Sequence, residues 1–232
     1  MIAVLINCVA VIAGSLIGLL VGKKLSEDFR TVVYSASALV IIVMGVQMAM
    51  ESSNFLVLLI SLLAGGGVGY LSGIEDAVLR LGEKLEKVTS KGKKAGGSDF
   101  AKGFMNASVL FCSGAMSVVG SIQAGTTGNI QTILIKSVMD GCMAVILATV
   151  YGTGVLFSFL PVFVYQGFFT LAGRWIEPLI GTAGISELSA AGGIMLMMIG
   201  LGLLKIKEFK TANFLPAIIF APLFIFLAGR IV

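Results

Sequence analysis

IAVLINCVAVIAGSLIGLLVG, residues 2–22, runs for 21 positions without a charged side chain. At roughly 1.5 Å of rise per residue, a helix of that length crosses the roughly 30 Å hydrocarbon core of a bilayer. The basic pair Lys23-Lys24 comes after the run rather than before it, and no convincing Ala-x-Ala cleavage site follows. The segment therefore reads as a retained first membrane helix and not as a signal peptide. The same criterion marks eight spans: 2–22, 32–50, 55–74, 103–121, 131–150, 153–172, 188–204 and 213–230. The fourth is the weakest, because Ser113-Gly114 interrupts it and a Gly/Thr-rich stretch ends it; a re-entrant segment is the alternative there. The expected fold is all-α and polytopic, a single integral membrane domain over residues 1–232.

Composition agrees. Mean hydropathy is +1.04 and only 12% of residues are charged, against about 25% in a soluble domain. Thirty glycines in apolar segments suit membrane helices, where small residues let backbones approach. Such faces also favour association of whole chains, so a homodimer is among the expected partners, beside the lipid bilayer and a small solute or ion. A net charge of +4 is too small for a nucleic-acid footprint. Cys8, Cys112 and Cys142 all lie in apolar runs and read as packing thiols. Histidine is absent, which removes the commonest metal ligand and the commonest general base. With no readable nucleophile–base pair and no Gly-Lys-Ser/Thr phosphate loop, neither an enzyme, a metal site nor a cofactor is expected.

The soluble part is confined to residues 75–102. Residues 75–94 read as an amphipathic helix. Ile74, Val78, Leu81, Leu85 and Val88 mark one face, and Glu75, Asp76, Arg80, Glu83, Lys84, Glu86 and Lys87 the other. Lys91 to Ser98 read as a flexible basic linker. Basic residues cluster at Lys23, Lys24 and Arg30, at Arg80 through Lys102, and at Lys205, Lys207 and Lys210. With eight spans all three clusters fall on one side, which should be the cytoplasm, and both termini face outward.

Two stretches look alike. Met44-Gly45 precedes Asn54-Phe55-Leu56 as Ile199-Gly200 precedes Asn213-Phe214-Leu215, and upstream Gly22-Lys23 echoes Gly173-Arg174. Spans one to three would then match spans six to eight in opposite orientation, an inverted repeat of the kind common in secondary transporters. A rival alignment pairs Cys8-Val9-Ala10-Val11-Ile12 with Cys142-Met143-Ala144-Val145-Ile146.

Three constellations could carry chemistry. Lys136 and Asp140 stand one helical turn apart inside an apolar segment, where ionisable groups need a partner or water. They would line a polar pathway, or form a self-satisfied structural pair. Phe111 to Asn129 combines the glycines Gly114, Gly120 and Gly125 with the polar Ser113 and Gln123, and reads as a polar loop or broken helix. Asn106, Asn7 and Gln47 could face the same interior. Pro161 is expected to break span six near Ser158–Pro161, and Pro216 and Pro222 to interrupt span eight.

These residues carry a resemblance. Leu5-Ile6-Asn7, Gly14 to Gly18, Phe111 to Gly125, Ile135-Lys136-Ser137, Asp140-Gly141, Leu160-Pro161-Val162, Tyr165-Gln166-Gly167, Glu187 to Gly193 and Ala212 to Ala217 resemble a bacterial multi-pass inner-membrane family of unknown function, number 554, of the YqgA/YdfK type. Ala124 and Ala115 depart from it, standing where an acidic residue and a proline are often found. The resemblance implies a bacterial multi-pass membrane protein and supplies no substrate. The physical reading is a transporter of a small polar or charged solute. Substrate contacts are expected from Asp140, Lys136, Asn106, Ser113, Gln123 and Asn7, with hinges at Gly114, Gly120, Gly125 and Pro161. The alternatives are an ion channel or a non-transporting membrane scaffold.

Overall fold

A computed structural model describes residues 1–22, 26–89 and 97–228. Lys23, Lys24, linker residues 91–96 and Arg230 lie outside the described residues, as do the side chains of Arg30, Glu86, Lys87 and Val88. The described chain is helical, with no strand among the described residues.

The helices are α1 (Ile2–Gly22), α2 (Glu27–Ala49), α3 (Phe55–Leu71), α4 (Ile74–Thr89), α5 (Gly97–Cys112), α6 (Ala115–Thr126), α7 (Gln131–Tyr151), α8 (Phe159–Leu203) and α9 (Ala217–Ala228). Short 3-10 turns cover Gly152–Ser158 and Thr211–Phe214. Gly181, at φ 61° and ψ −179°, divides α8 into α8a (159–180) and α8b (182–203). By length and apolarity five helical runs can cross a membrane, and seven if the bent pairs α3–α4 and α5–α6 each count once. Large apolar side chains such as Ile2, Val9, Leu20, Leu71 and Val138 face outward. Water would not tolerate a surface of that kind, and lipid does.

Packing fixes the relative directions. In α1 and α7, Gly14 meets Gly141, Gly18 meets Val145 and Gly22 meets Thr149, so the two run parallel. A Cβ on Gly14 or Gly18 would strike a backbone carbonyl of α7; only glycine permits this approach. Met1 beside Gly167 and Cys8 against the Phe159 carbonyl make α8a antiparallel to α1, and therefore to α7. The 46-residue run from Gln131 to Ile176 thus reverses at Gly152, whose φ of 73° and ψ of −145° are left-handed. The Tyr34 hydroxyl donates to the Val150 carbonyl (3.0 Å) at one end of α2, while Met44 to Glu51 face Lys136 to Met143 at the other. So α2 is antiparallel to α7.

α8b lies along α2 in a reciprocal way. A Cβ on Gly45 would meet the Gly193 carbonyl (2.6 Å) and Met197, and one on Gly200 would meet the Ala38 carbonyl (3.0 Å) and Ile42. The register that carries Gly45 to Gly200 also carries Ala38 to Gly193 and Ile42 to Met197. Likewise α3 and α9 pack antiparallel, with Gly69 on Asn213 and Gly65 on Ala217.

Several expectations need correction. Residues 97–102 are the first turns of α5, not linker, and Phe100 and Ala101 are buried. Of the two readings of Phe111 to Asn129, the broken helix holds and the loop does not, since residues 115–126 are helix α6. Gly120 and Gly125 are not hinges; Gly120 packs against Ile133 and Gly125 against the Thr170 carbonyl inside that helix interface. Pro161 sits in the first turn of α8, where a missing amide donor costs nothing, and the chain breaks upstream at Gly152. Pro216 does precede the start of α9, but Pro222 lies buried within that helix. Glu75 belongs to the core and not to the polar face of α4, being only 8% exposed.

Candidate functional site

α5 ends at Cys112 and α6 starts at Ala115, the two meeting at 61°. Gly114 is extended there (φ −81°, ψ 145°) and, being glycine, offers α6 no side-chain cap of its own; the Ser189 hydroxyl accepts from the Ala115 amide at 3.3 Å. Ser113 is fully buried, and its hydroxyl has no hydrogen-bond partner among the described residues. Buried hydroxyls are normally hydrogen-bonded, so Ser113 is an exception to that pattern.

Against this break stands α7. Lys136 donates to Asp140 Oδ1 at 2.8 Å, and Asn7 from α1 donates to Asp140 Oδ2 at 3.0 Å. Lys136 is 6% and Asp140 5% exposed, so the pair is held away from bulk water. Both carboxylate oxygens are engaged, whereas the ammonium uses one of its three N–H donors on Asp140.

A cavity of about 220 Å³ joins these parts. Lys136, Asp140, Gly114 and Ala115 form one side, with Gln47 and Glu51 from the end of α2. Met44, Met48, Met116, Met139 and Met143 supply most of the remaining wall. Thioether side chains are flexible and polarizable, and adapt to varied shapes.

A second cavity, about 640 Å³, lies toward the opposite ends of the same helices. Asn106 belongs here, not beside Asp140; it donates to the Tyr151 hydroxyl at 2.8 Å. Lys102, Lys205 and Lys210 line it, so three of the basic residues used to assign a cytoplasmic side converge at one end. Lys102 pairs with Glu208 at 2.8 Å, and that contact holds the exposed Glu208 carboxyl below its ordinary range. The α2 positions facing the small cavity, Met44, Gln47 and Met48, correspond in the register above to Ile199, Gly202 and Leu203, which face the large one. Between the cavities lie Ala38, Ile41, Ala107, Ala144 and Leu147, each at most 1% exposed.

Of the expected contacts, Lys136, Asp140 and Asn7 form one hydrogen-bonded group, and Ser113 lies at the adjoining break. Asn106 is elsewhere. Gln123 accepts from Thr132 (2.9 Å), tying α6 to α7 across their connection, and does not line the cavity. No group of three or more His, Cys, Asp or Glu is placed to hold a metal among the described residues.

Sequence reasoning missed Glu187. It is fully buried and accepts from the Ser53 amide (2.8 Å), the Asn54 amide (2.9 Å) and the hydroxyls of Ser52 and Ser53 (3.0 Å each). A lone carboxylate beginning an apolar helix was the available signal. Glu75 does the corresponding work at α9: it accepts from the Ala212 amide (2.8 Å) and donates its own amide to Asn213 (2.9 Å). Sequence reasoning also passed over Gln166, fully buried within α8a and donating to Ser117 at 3.1 Å.

The fold and site define an all-α, polytopic membrane protein with a buried ion pair beside a broken helix. The chain belongs to the family described as "Protein of unknown function (DUF554)", which matches residues 2–226. It is 30% identical over 230 residues to "Uncharacterized membrane protein YdfK" of Bacillus subtilis (strain 168), covering 97% of this chain and 96% of that protein. It is 28% identical over 217 residues to "Uncharacterized protein YqgA" of Escherichia coli (strain K12), covering 93% and 92%. No solved structure matches the chain.

Proposed function

We propose that this protein is a transporter of a small polar or charged solute in the bacterial plasma membrane, with the Lys136–Asp140 cavity as its binding site. The observation that carries the reading is that one cavity joins a buried ion pair to the open end of a broken helix. Charges are costly inside a bilayer and usually mark solute or ion pathways. Broken helices at that depth are tolerated where they line a cavity.

The reciprocal packing of α2 on α8b supports an inverted repeat. The successive directions α1, α2, α3, α5–α6, α7, α8a, α8b and α9 alternate, which supports eight crossings with both termini on one side. The lysines around the larger cavity assign that end to the cytoplasm, so the termini face outward. In this reading the cavities are the two approaches to one route, and the apolar septum between them closes it at rest. That septum favours a carrier over a channel, which needs a continuous polar pore.

A thermal-shift screen of purified protein against ions, amino acids and organic acids tests the reading. A bound solute raises the melting temperature by mass action, and Met139→Trp, which fills the cavity, should remove the shift. Silence across the panel would favour a scaffold.

A further inference from the structure

We propose that the small cavity takes an α-amino acid with an apolar side chain, bound as its zwitterion. The inference rests on the solute-site reading above and names the class of solute. The positive end of the site has two independent parts. Lys136 is more than nine-tenths buried and has two N–H donors beyond its bond to Asp140. The N-terminus of α6, a 12-residue helix whose N-cap residue is glycine, opens on the same space through Gly114, Ala115 and Met116. Ala115 N–H reaches only a long 3.3 Å contact with Ser189. Ser117 N–H donates to the Gly114 carbonyl at 2.9 Å, which leaves the Met116 amide, and that amide and the helix dipole both favour a carboxylate there.

The lining also carries negative charge. Glu51, exposed at the mouth, and Asp140 leave the lining one negative charge in excess of Lys136. A bare anion would meet Glu51, and a bare cation would meet Lys136. A solute carrying both signs satisfies both. The remaining wall, five methionines with Leu110 and Leu196, suits an apolar side chain and tolerates several shapes. A volume of about 220 Å³ lies below the roughly 300–1,000 Å³ of drug-sized pockets.

Equilibrium binding of L-leucine to the purified full chain, alongside isoamylamine and 4-methylpentanoate, tests the class. These analogues each lack one of leucine's charges. Leucine should bind, and each analogue should bind about a hundredfold more weakly. Glu51→Gln, an exposed change that leaves the core intact, should weaken leucine and tighten 4-methylpentanoate, which no longer meets a like charge. The charge-neutral double variant Lys136→Met with Asp140→Leu should lose leucine binding while keeping its melting transition. If 4-methylpentanoate or isoamylamine binds as tightly as leucine, the zwitterion is wrong and the cavity remains a solute site. If neither leucine nor its analogues bind, the proposal is overturned, and the transporter reading is judged by the ion and organic-acid panel alone.

Discussion

The two cavities are built on corresponding faces of α2 and α8b, yet they differ in what they hold. The smaller one has Met44, Gln47 and Met48 opposite a buried ion pair; the larger has Ile199, Gly202 and Leu203 opposite Asn106 and Tyr151. A shared frame thus carries a buried ion pair at one cavity only; the other has the buried Glu75, held by the Ala212 amide, and otherwise Asp76, Lys102, Lys205, Glu208 and Lys210. The lesson is that backbone symmetry sets where cavities form, and individual side chains set which of them can bind.

The largest difference should appear when each buried polar pair is broken. Asp140→Leu leaves Lys136 buried without its counter-ion and should cost about 3–5 kcal/mol of stability. Asn106→Ala, at the other cavity, removes a neutral hydrogen bond worth about 1 kcal/mol. Denaturant unfolding in detergent measures both. The double change Lys136→Met with Asp140→Leu should recover most of the loss, because apolar replacement of a whole buried pair is often neutral.

Next in size are the two carboxylate clamps. Glu187→Gln disrupts bonds to two amides and two hydroxyls and should cost about 2–3 kcal/mol, more than Glu75→Gln. Equal losses would contradict the greater load assigned to Glu187. Gly45→Leu and Gly200→Leu should then cost about 1–3 kcal/mol each by overpacking, in similar measure if the α2–α8b contact is reciprocal. Gly67→Leu, with open space around it, is the control. The smallest effect concerns Lys102–Glu208. The Glu208 pKa is lowered in the fold, so its contribution is present above the ordinary glutamate range and fades as pH falls through the lowered value. Glu208→Gln should remove that weak acid dependence of the melting temperature, and added salt should mask it.

Much of this frame was legible in the sequence, for a physical reason. Apolar runs of membrane length and a charge pair inside one of them are local signals, so α1, α7 and Lys136–Asp140 could be read without partners in view. The break at Ser113-Gly114 was equally local. What escaped depends on distant chain. Glu75 sits one turn from exposed charges on α4 and looks like them, but its partners are the amide of Ala212 and the side chain of Asn213. Asn106 and Ser113 are seven residues apart and share a helix face, yet about 10 Å of rise separates them. Asn106 lines the large cavity, whereas Ser113 lies fully buried at the break and lines neither. Gln123 was drawn away by Thr132, across a turn whose geometry only the fold reveals.

The central claim is that the cavities are opposite approaches to one closed route. Its most direct test replaces Cys8, Cys112 and Cys142 with alanine and introduces a single cysteine at Met139 or Met198. Each variant is labelled in sealed vesicles of known orientation with a membrane-impermeant thiol reagent. Met139→Cys should label from the outer face and Met198→Cys from the cytoplasmic face, with Leu147→Cys in the septum protected from both. Labelling of Met139→Cys and Met198→Cys from the same face would contradict the account.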